Sequence, residues 1–400
     1  MKKNRNELLL LAGDGLSAFG TWIDFLAILT LAAYQFHVSS YQMATVSAAG
    51  VLPGMLLSPF IGRLCDRGNP QKVLLASIVA RVLATGAILF CHDYFVFLAL
   101  VGLRSVFASV APPAINVLAV RSVEPARRAS FYSLLNVLNN SAKVLAPAIG
   151  TVSSSVASEA FALLMSLTFS AASLIAFAFI RLGSKEIAID SAGGSAAFVA
   201  TARPGLTPLL WVATTSAFFI FMVNNLVPLV LQRAGFDKAL LGLLVSCAGA
   251  GNILSGLWLA RKSASKTLRA EIGEMVLPAL FQALGFGLIG VLLWLNPDPV
   301  AVILPLLFLL IGTFSARYAI AMNVYVAAHF AGSIGAVWGV LQAWQSAMIL
   351  LAPMLGAVVL DAMGAASLFA FSTGAAVISF ALFYVLRAMG LPRLQVSASS

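Results

Sequence analysis

Six charged side chains lie inside stretches otherwise too apolar to hold them: Asp14, Asp24, Arg81, Arg104, Lys143 and Arg317. A charge at the centre of a membrane-crossing helix costs roughly 2.5–3.5 kcal/mol even on the lenient insertion scale. Each must therefore face protein or water, and each is a candidate for function. The chemistry open to such groups is the handling of protons and ions. Desolvation favours the protonated form of a carboxylate and a neighbouring cation favours the charged form, so a carboxylate balanced between the two can load and release a proton as water access changes. Asp24 is the leading candidate and Arg104 its natural partner. The alternative for this pair is a permanent ion pair that only joins two helices. Asp14 suits capping or hydration as well as function, and Arg81 suits pairing with a polar neighbour. Four cations against two acids would favour an anionic or carboxylate-bearing cargo if most of them faced one cavity.

Neutral polar residues accompany these charges at helical spacing. Asp14, Ser17, Thr21 and Asp24 fall within an arc of ~80° on one helix. Asn136, Asn140, Lys143 and Pro147 form a second stripe, and Trp338, Gln342 and Gln345 a third. Asn224 and Asn225 precede Pro228 in another apolar run. Stripes of this kind predict helices lining a common path, with Asn136, Asn140, Lys143, Asn224, Asn225, Arg317, Gln342 and Gln345 along it. Trp22, Phe25, Trp338 and Trp344 could meet an apolar cargo or pack between helices.

The elements that must position these residues follow from hydropathy. The chain of 400 residues is 61% hydrophobic and 10% charged, against about 25% charged in a soluble domain. Apolar runs near the ~20 residues needed to span a bilayer number twelve: 9–35, 41–61, 72–91, 94–120, 130–152, 160–181, 208–231, 238–259, 273–295, 300–326, 334–360 and 366–387. Such lengths exclude strands, so the expectation is an all-α membrane protein of twelve transmembrane helices. The polar interval 183–207, rich in Gly, Ala and Ser, reads as a cytoplasmic linker between a six-helix bundle at 1–182 and another at 208–400. Of 24 Lys and Arg, 18 fall in alternate loops or termini and only Arg233 and Lys238 in an opposite-side loop. This asymmetry predicts cytoplasmic termini and explains the net charge of +10 without nucleic acid. Met1-Lys-Lys-Asn-Arg ahead of Leu8–Leu11 resembles a signal peptide, but Asp14 and the absence of a small-residue cleavage site predict an uncleaved first span.

Enzyme chemistry finds no support. The three cysteines have no metal-ligand spacing, and His37, His92 and His329 are dispersed. No Gly-x-x-x-x-Gly-Lys-Ser/Thr loop is present, so ATP hydrolysis is not built in. No cofactor is expected.

A charged stretch, Gly62 to Lys72, reads as a turn between two apolar runs, and a worn copy recurs 194 positions later with Gly256, Arg261 and Lys266 for Gly62, Arg67 and Lys72. Asp66 has become Ala260. Ala146-Pro147-Ala148-Ile149-Gly150 is echoed by Ala352-Pro353-Met354-Leu355-Gly356. Two echoes at nearly one offset predict two pseudo-symmetric halves, a pattern common in transporters.

Gly62-x-x-x-Asp66-Arg67, Arg104 and the proline-rich span 2 together resemble the major facilitator superfamily. Gly20-Thr-Trp-Ile-Asp24 with that span is similar to its branch of macrolide-efflux and enterobactin-exporter-type proteins. The resemblance implies that Gly62, Asp66, Arg67 and Lys72 form a latch closing the cytoplasmic side, although Pro70-Gln71 stand where basic residues are usual. It implies a role in proton transfer for Arg104, and an antiporter motif at Pro147 and Gly150, where Ala146 replaces the first glycine.

The expectation is thus a multi-pass inner-membrane protein, embedded in lipid as a monomer, that moves a small molecule against protons by alternating access. The cargo would be siderophore-like, another organic anion or a drug. Proton-coupled import of an organic anion, a lipid flippase and a polytopic sensor stay open as alternatives.

Overall fold

A computed structural model describes residues 5–36, 40–156, 159–181, 205–224, 226–234, 236, 238–262, 271–295 and 300–389. Their regular structure is helical, and ten helical stretches among them, some joining two successive helices, are long and apolar enough to cross a membrane. The protein is a multi-pass membrane protein, and its helices group into two compact units.

The first unit comprises 1–192 with 330–343. It contains α1 (Arg5–Tyr34), α2 (Ser40–Ala49), α3 (Leu52–Arg67), α4 (Pro70–Ile88), α5 (Tyr94–Ala108), α6 (Ala111–Ser122), α7 (Arg128–Val156) and α8 (Glu159–Ala178). It also holds the first turns of α14 (Ile334–Ala388). Within it α1 packs chiefly on α8 and α7, α4 on α5 and α8, and α3 on α5 and α6. Ile23, Ile28, Val46, Ile88, Phe97 and Leu163 are buried together in its core.

Prolines set several breaks. The run 41–61, expected as one span, is interrupted before Leu52, and Pro53 sits in the first turn of α3. Pro112 and Pro113 open α6, two residues beyond the end of α5. A residue without an N–H fits the first turn, where that donor has no helical acceptor. The charged stretch is mostly not a turn: α3 continues through Arg67, and only Gly68 and Asn69 separate it from α4. The Asn69 side chain then caps α4, accepting from the amides of Gln71 at 3.0 Å and Lys72 at 3.3 Å. Gln71 donates to the carbonyls of Phe177 at 2.9 Å and Ile180 at 2.8 Å, tying α4 to the end of α8.

The second unit comprises 193–329 with 344–400. Its helices are α9 (Leu206–Asn224), α10 (Val227–Arg233), α11 (Lys238–Lys262), α12 (Gly273–Leu295), α13 (Val300–His329) and the remainder of α14. The tightest packing is α11 on α13. A Cβ on Gly251 would meet the Leu309 carbonyl, and one on Gly312 would meet that of Ala248, so reciprocal glycines bring two backbones together. Phe286 is central to the core, with Phe369 at 6.3 Å and Phe308 at 6.4 Å between ring centroids. The 55-residue α14 contains one non-helical residue, Gly364, at φ +84°.

Candidate functional site

Three polar constellations stand out, all in the first unit. The innermost joins four helices. Arg104 on α5 donates through Nε to Asp24 Oδ2 on α1, an ion pair buried on both sides. Thr85 on α4 donates to the same oxygen at 3.3 Å. One turn earlier on α4, Arg81 donates to Thr21 Oγ1 at 2.8 Å, Ser17 Oγ at 3.1 Å and, on α8, Ser170 Oγ at 3.3 Å. Asp24 is 2% exposed, Arg81 4% and Arg104 6%. The cluster therefore holds two guanidiniums against one carboxylate in a dry setting, where a single charge interaction far exceeds its value in water. Among the described residues, neither Asp24 Oδ1 nor Arg104 Nη2 has a hydrogen-bond partner. A buried acceptor left open costs ~1–3 kcal/mol, and each such atom in a native fold needs an explanation.

The stripe expected on α1 is thus real but turned inward at Ser17 and Asp24. Ser17 and Thr21 are spent on Arg81, which pairs with polar neighbours as its charge in an apolar run suggested. The member that the sequence reading omits is Thr85, and its placement one turn after Arg81 in an apolar run is the signal that could have found it. The same burial corrects the charge argument for the cargo. Arg81 and Arg104 are enclosed by their own bundle, so a count of four intramembrane cations does not translate into a cationic cavity.

The second constellation is a seam between α1 and α7. Asn139 donates to Asp14 Oδ2 at 2.7 Å, and Asn140 donates to Asn136 Oδ1 at 3.1 Å. The Lys143 ammonium lies 5.7 Å from the centroid of Trp22, within cation–π range. Lys143 is exposed and Trp22 half-buried, so this seam, unlike the inner cluster, can be reached. Asn139 carries the contact to Asp14, one position off the anticipated stripe.

In the third, Asp66 at the end of α3 meets the N-terminus of α14. Its Oδ1 accepts from the Gly335 amide at 2.7 Å and its Oδ2 from the Ala336 amide at 2.7 Å. Two otherwise unpartnered amides and the positive end of the helix dipole converge on one carboxylate. A Cβ on Gly62 would meet the Gly335 carbonyl, and one on Gly339 the Ser58 carbonyl, so glycines hold the two helices at backbone contact. Arg67 and Lys72 are exposed.

Other anticipated residues scatter. Asn224 is exposed at the end of α9, and Asn225 lies outside the described residues. Pro147 and Gly150 fall within α7, their side chains outside the described set. Trp338 is buried and Gln342 half-buried in the first unit; Trp338 Nε1 and Gln342 Oε1 have no partner among the described residues. Gln345 is half-buried in the second unit. Arg317 borders a cavity of ≈ 210 Å³ beside Glu271 and Glu274.

Comparison with known proteins bears on this arrangement. A family model of the Major Facilitator Superfamily matches residues 10–349. The chain is 25% identical over 273 residues to an uncharacterized MFS-type transporter of Bacillus subtilis (strain 168), YfiS. That match covers 65% of this chain and 65% of the relative, just under two thirds of each. The crystal structure of the human organic anion transporter MFSD10 (TETRAN) has a TM-score of 0.72 at 19% identity, covering 94% of this chain and 98% of that one. The structure of a bacterial homologue of the iron transporter ferroportin in an outward-facing state has a TM-score of 0.70 at 14% identity, covering 96% and 100%. At these identities the two structures establish the fold.

Proposed function

This chain belongs to the Major Facilitator Superfamily, and we propose that it is a secondary active transporter exporting a small organic molecule in exchange for protons. It would sit in the inner membrane, within the branch of macrolide-efflux and enterobactin-exporter-type proteins. The observation that carries the coupling assignment is the open Oδ1 of Asp24, while Oδ2 is held by Arg104 and Thr85. A proton arriving on Oδ1 neutralises the carboxylate and leaves Arg104 and Arg81 buried with no counter-charge. That state is costly, so proton loading drives α1 and α5 toward an arrangement in which Arg104 finds water or another partner. Cargo is assigned to the reachable seam of Asp14, Asn136, Asn140 and Lys143 beside Trp22. That rearrangement around Asp24 is then coupled to cargo release, so that proton and cargo leave on opposite sides.

Twelve spans are supported by simple addition. The ten candidates count α14 once, its break at Gly364 divides it into two limbs, and α7 adds 29 residues. Cytoplasmic termini and halves at 1–182 and 208–400, joined by 183–207, rest on the charge asymmetry and the repeated motifs. The Asp66 contact serves as the latch of the cytoplasmic side. Export over import is favoured by the resemblance of Pro147 and Gly150 to an antiporter motif. The solved structures similar in fold are named for an organic anion and for iron, cargoes too different for the fold to choose between them.

The test is mass spectrometry of medium and cell extract from the native host, comparing wild type, a deletion strain and a strain carrying Asp24→Asn, with and without iron limitation. A metabolite lost from the medium and accumulating inside both defective strains is the expected result, and it identifies the cargo. Unchanged export by a folded Asp24→Asn protein overturns the coupling assignment; accumulation outside the cell overturns the direction.

A further inference from the structure

We propose that the cleft between α12 and α13 binds one phospholipid with a zwitterionic, primary-amine headgroup, Arg317 taking its phosphate and Glu271 and Glu274 its ammonium. The cleft is the cavity of ≈ 210 Å³ bordered by Glu271, Glu274, Leu277, Phe281, Phe314 and Arg317. It lies wholly within the second unit and is independent of the coupling assignment above.

Its orientation is read from the helices around it. On α12, Leu277, Phe281, Leu284, Leu288 and Val291 are all exposed, and their spacing of four, three, four and three places them on one face. In a membrane protein an exposed apolar stripe of this length faces lipid. Leu277, 56% exposed, and Phe281 belong both to this stripe and to the cleft wall, so the cleft opens toward the bilayer. On α13 the exposed Leu306 and Leu310 lead along the same kind of stripe to Phe314 and Arg317. Phe281 and Phe314 stack at 5.0 Å and both line the cleft.

Its depth follows from length. The 30 residues of α13 extend ~45 Å at 1.5 Å per residue, well beyond a hydrocarbon core of ~30 Å. Arg317 is ~26 Å from Val300 on this measure, and it shares the cleft with Glu274 in the first turn of α12. Both charges thus sit where hydrocarbon gives way to headgroups. Trp258, 50% exposed, lies 6.0 Å from the Arg317 guanidinium, and tryptophan is enriched at that level of the membrane. The preceding Arg261, Lys262, Lys266 and Arg269 put this end on the cytoplasmic side.

The headgroup class follows from the charges. A guanidinium matches a phosphate by paired hydrogen bonds. Two carboxylates lining the same cleft repel a second anionic group and attract a cation that can donate hydrogen bonds. Glycerol headgroups lack the cation, and a choline headgroup has the charge but no N–H. Acyl chains continue along the Leu277–Val291 stripe.

The full-length protein, purified in mild detergent, is mixed with dioleoyl-phosphatidylethanolamine, -phosphatidylcholine or -phosphatidylglycerol and examined by native mass spectrometry. One ethanolamine lipid is expected to be retained about tenfold more than either other lipid, the difference made by one or two charge-assisted hydrogen bonds. Arg317→Gln should lower retention of that lipid about tenfold, Arg317→Lys should lower it less because it keeps the charge but not the paired bonds, and Glu274→Gln should erase the preference over phosphatidylglycerol. Size-exclusion profiles confirm folding, and the lysine and glutamine variants decide the matter if Arg317→Gln does not fold. Equal retention of all three lipids, or unchanged retention in the variants, overturns the proposal. Displacement by millimolar free phosphoethanolamine would make this a site for a soluble headgroup and would overturn the lipid assignment.

Discussion

The carboxylate of Asp66 accepts the Gly335 amide at 2.7 Å, a contact between residues 269 positions apart that caps the N-terminus of α14. Such a cap is worth ~1–2 kcal/mol in neutral form, with a further contribution from the helix dipole. Asp66→Ala should therefore raise the hydrogen-exchange rate of the amides of Gly335 and Ala336 by about 10- to 30-fold. Peptides covering α5, remote from the contact, should be unchanged.

Backbone approach is a separate requirement from the charge. Gly62→Ala places a methyl group against the Gly335 carbonyl, and overpacking of this kind costs ~1–3 kcal/mol. Gly86→Ala, with nothing within 4 Å of the added carbon, should be neutral or slightly stabilising because alanine is the better helix former. Thermal unfolding in detergent should show a lowered Tm for the first and none for the second. Hydrogen exchange at Gly335 should quicken in Gly62→Ala even though Asp66 is intact.

Asp24 and Arg104 are predicted to separate structural from transport roles. Removing either partner alone strands a buried charge and should cost ~3–5 kcal/mol. The double variant Asp24→Asn/Arg104→Gln removes both charges and should recover the part of that loss due to Arg104, Arg81 still lacking a counter-charge, a coupling readable from a double-mutant cycle of unfolding free energies. It should nonetheless fail to drive export with a pH gradient. Recovery of stability together with transport would reduce the pair to a helix tie.

Gly364 interrupts α14 at a φ of +84°. An L side chain is strained there, so Gly364→Ala should destabilise by ~1–2 kcal/mol. Gly374→Ala, ten residues on in helical backbone and with open space at its Cβ, should not. The two Tm values, compared in one detergent, check this.

Lys143 is exposed over Trp22. Lys143→Gln should leave stability within ~0.5 kcal/mol of wild type while raising the KM for an anionic cargo. An unchanged KM would remove this residue from the path.

Much of this could be read from the chain, and the omissions have physical causes. Hydropathy gives the helices because the bilayer forbids other structures. Charge in apolar surroundings gives Asp24 and Arg104, since burial demands an opposite partner and few were available. The full extent of the cluster was hidden because Arg81 is held by hydroxyls of Ser17, Thr21 and Ser170, and serine and threonine in membrane helices carry no distinctive signal. The partner of Asp66 was hidden for a stronger reason: it is backbone, and any sequence supplies amides at a helix start. Residue types also could not reveal that Arg81 and Arg104 face inward, because a helix stripe fixes which residues share a face but not what that face meets.

The three hydroxyls around Arg81 also set how the protein tolerates genetic change. They come from two helices and do the same job, so drift can remove any one of them and leave two in place. The arginine has no such understudy. Neutral variation should therefore accumulate at Ser17, Thr21 and Ser170 one at a time, while Arg81 itself stays fixed.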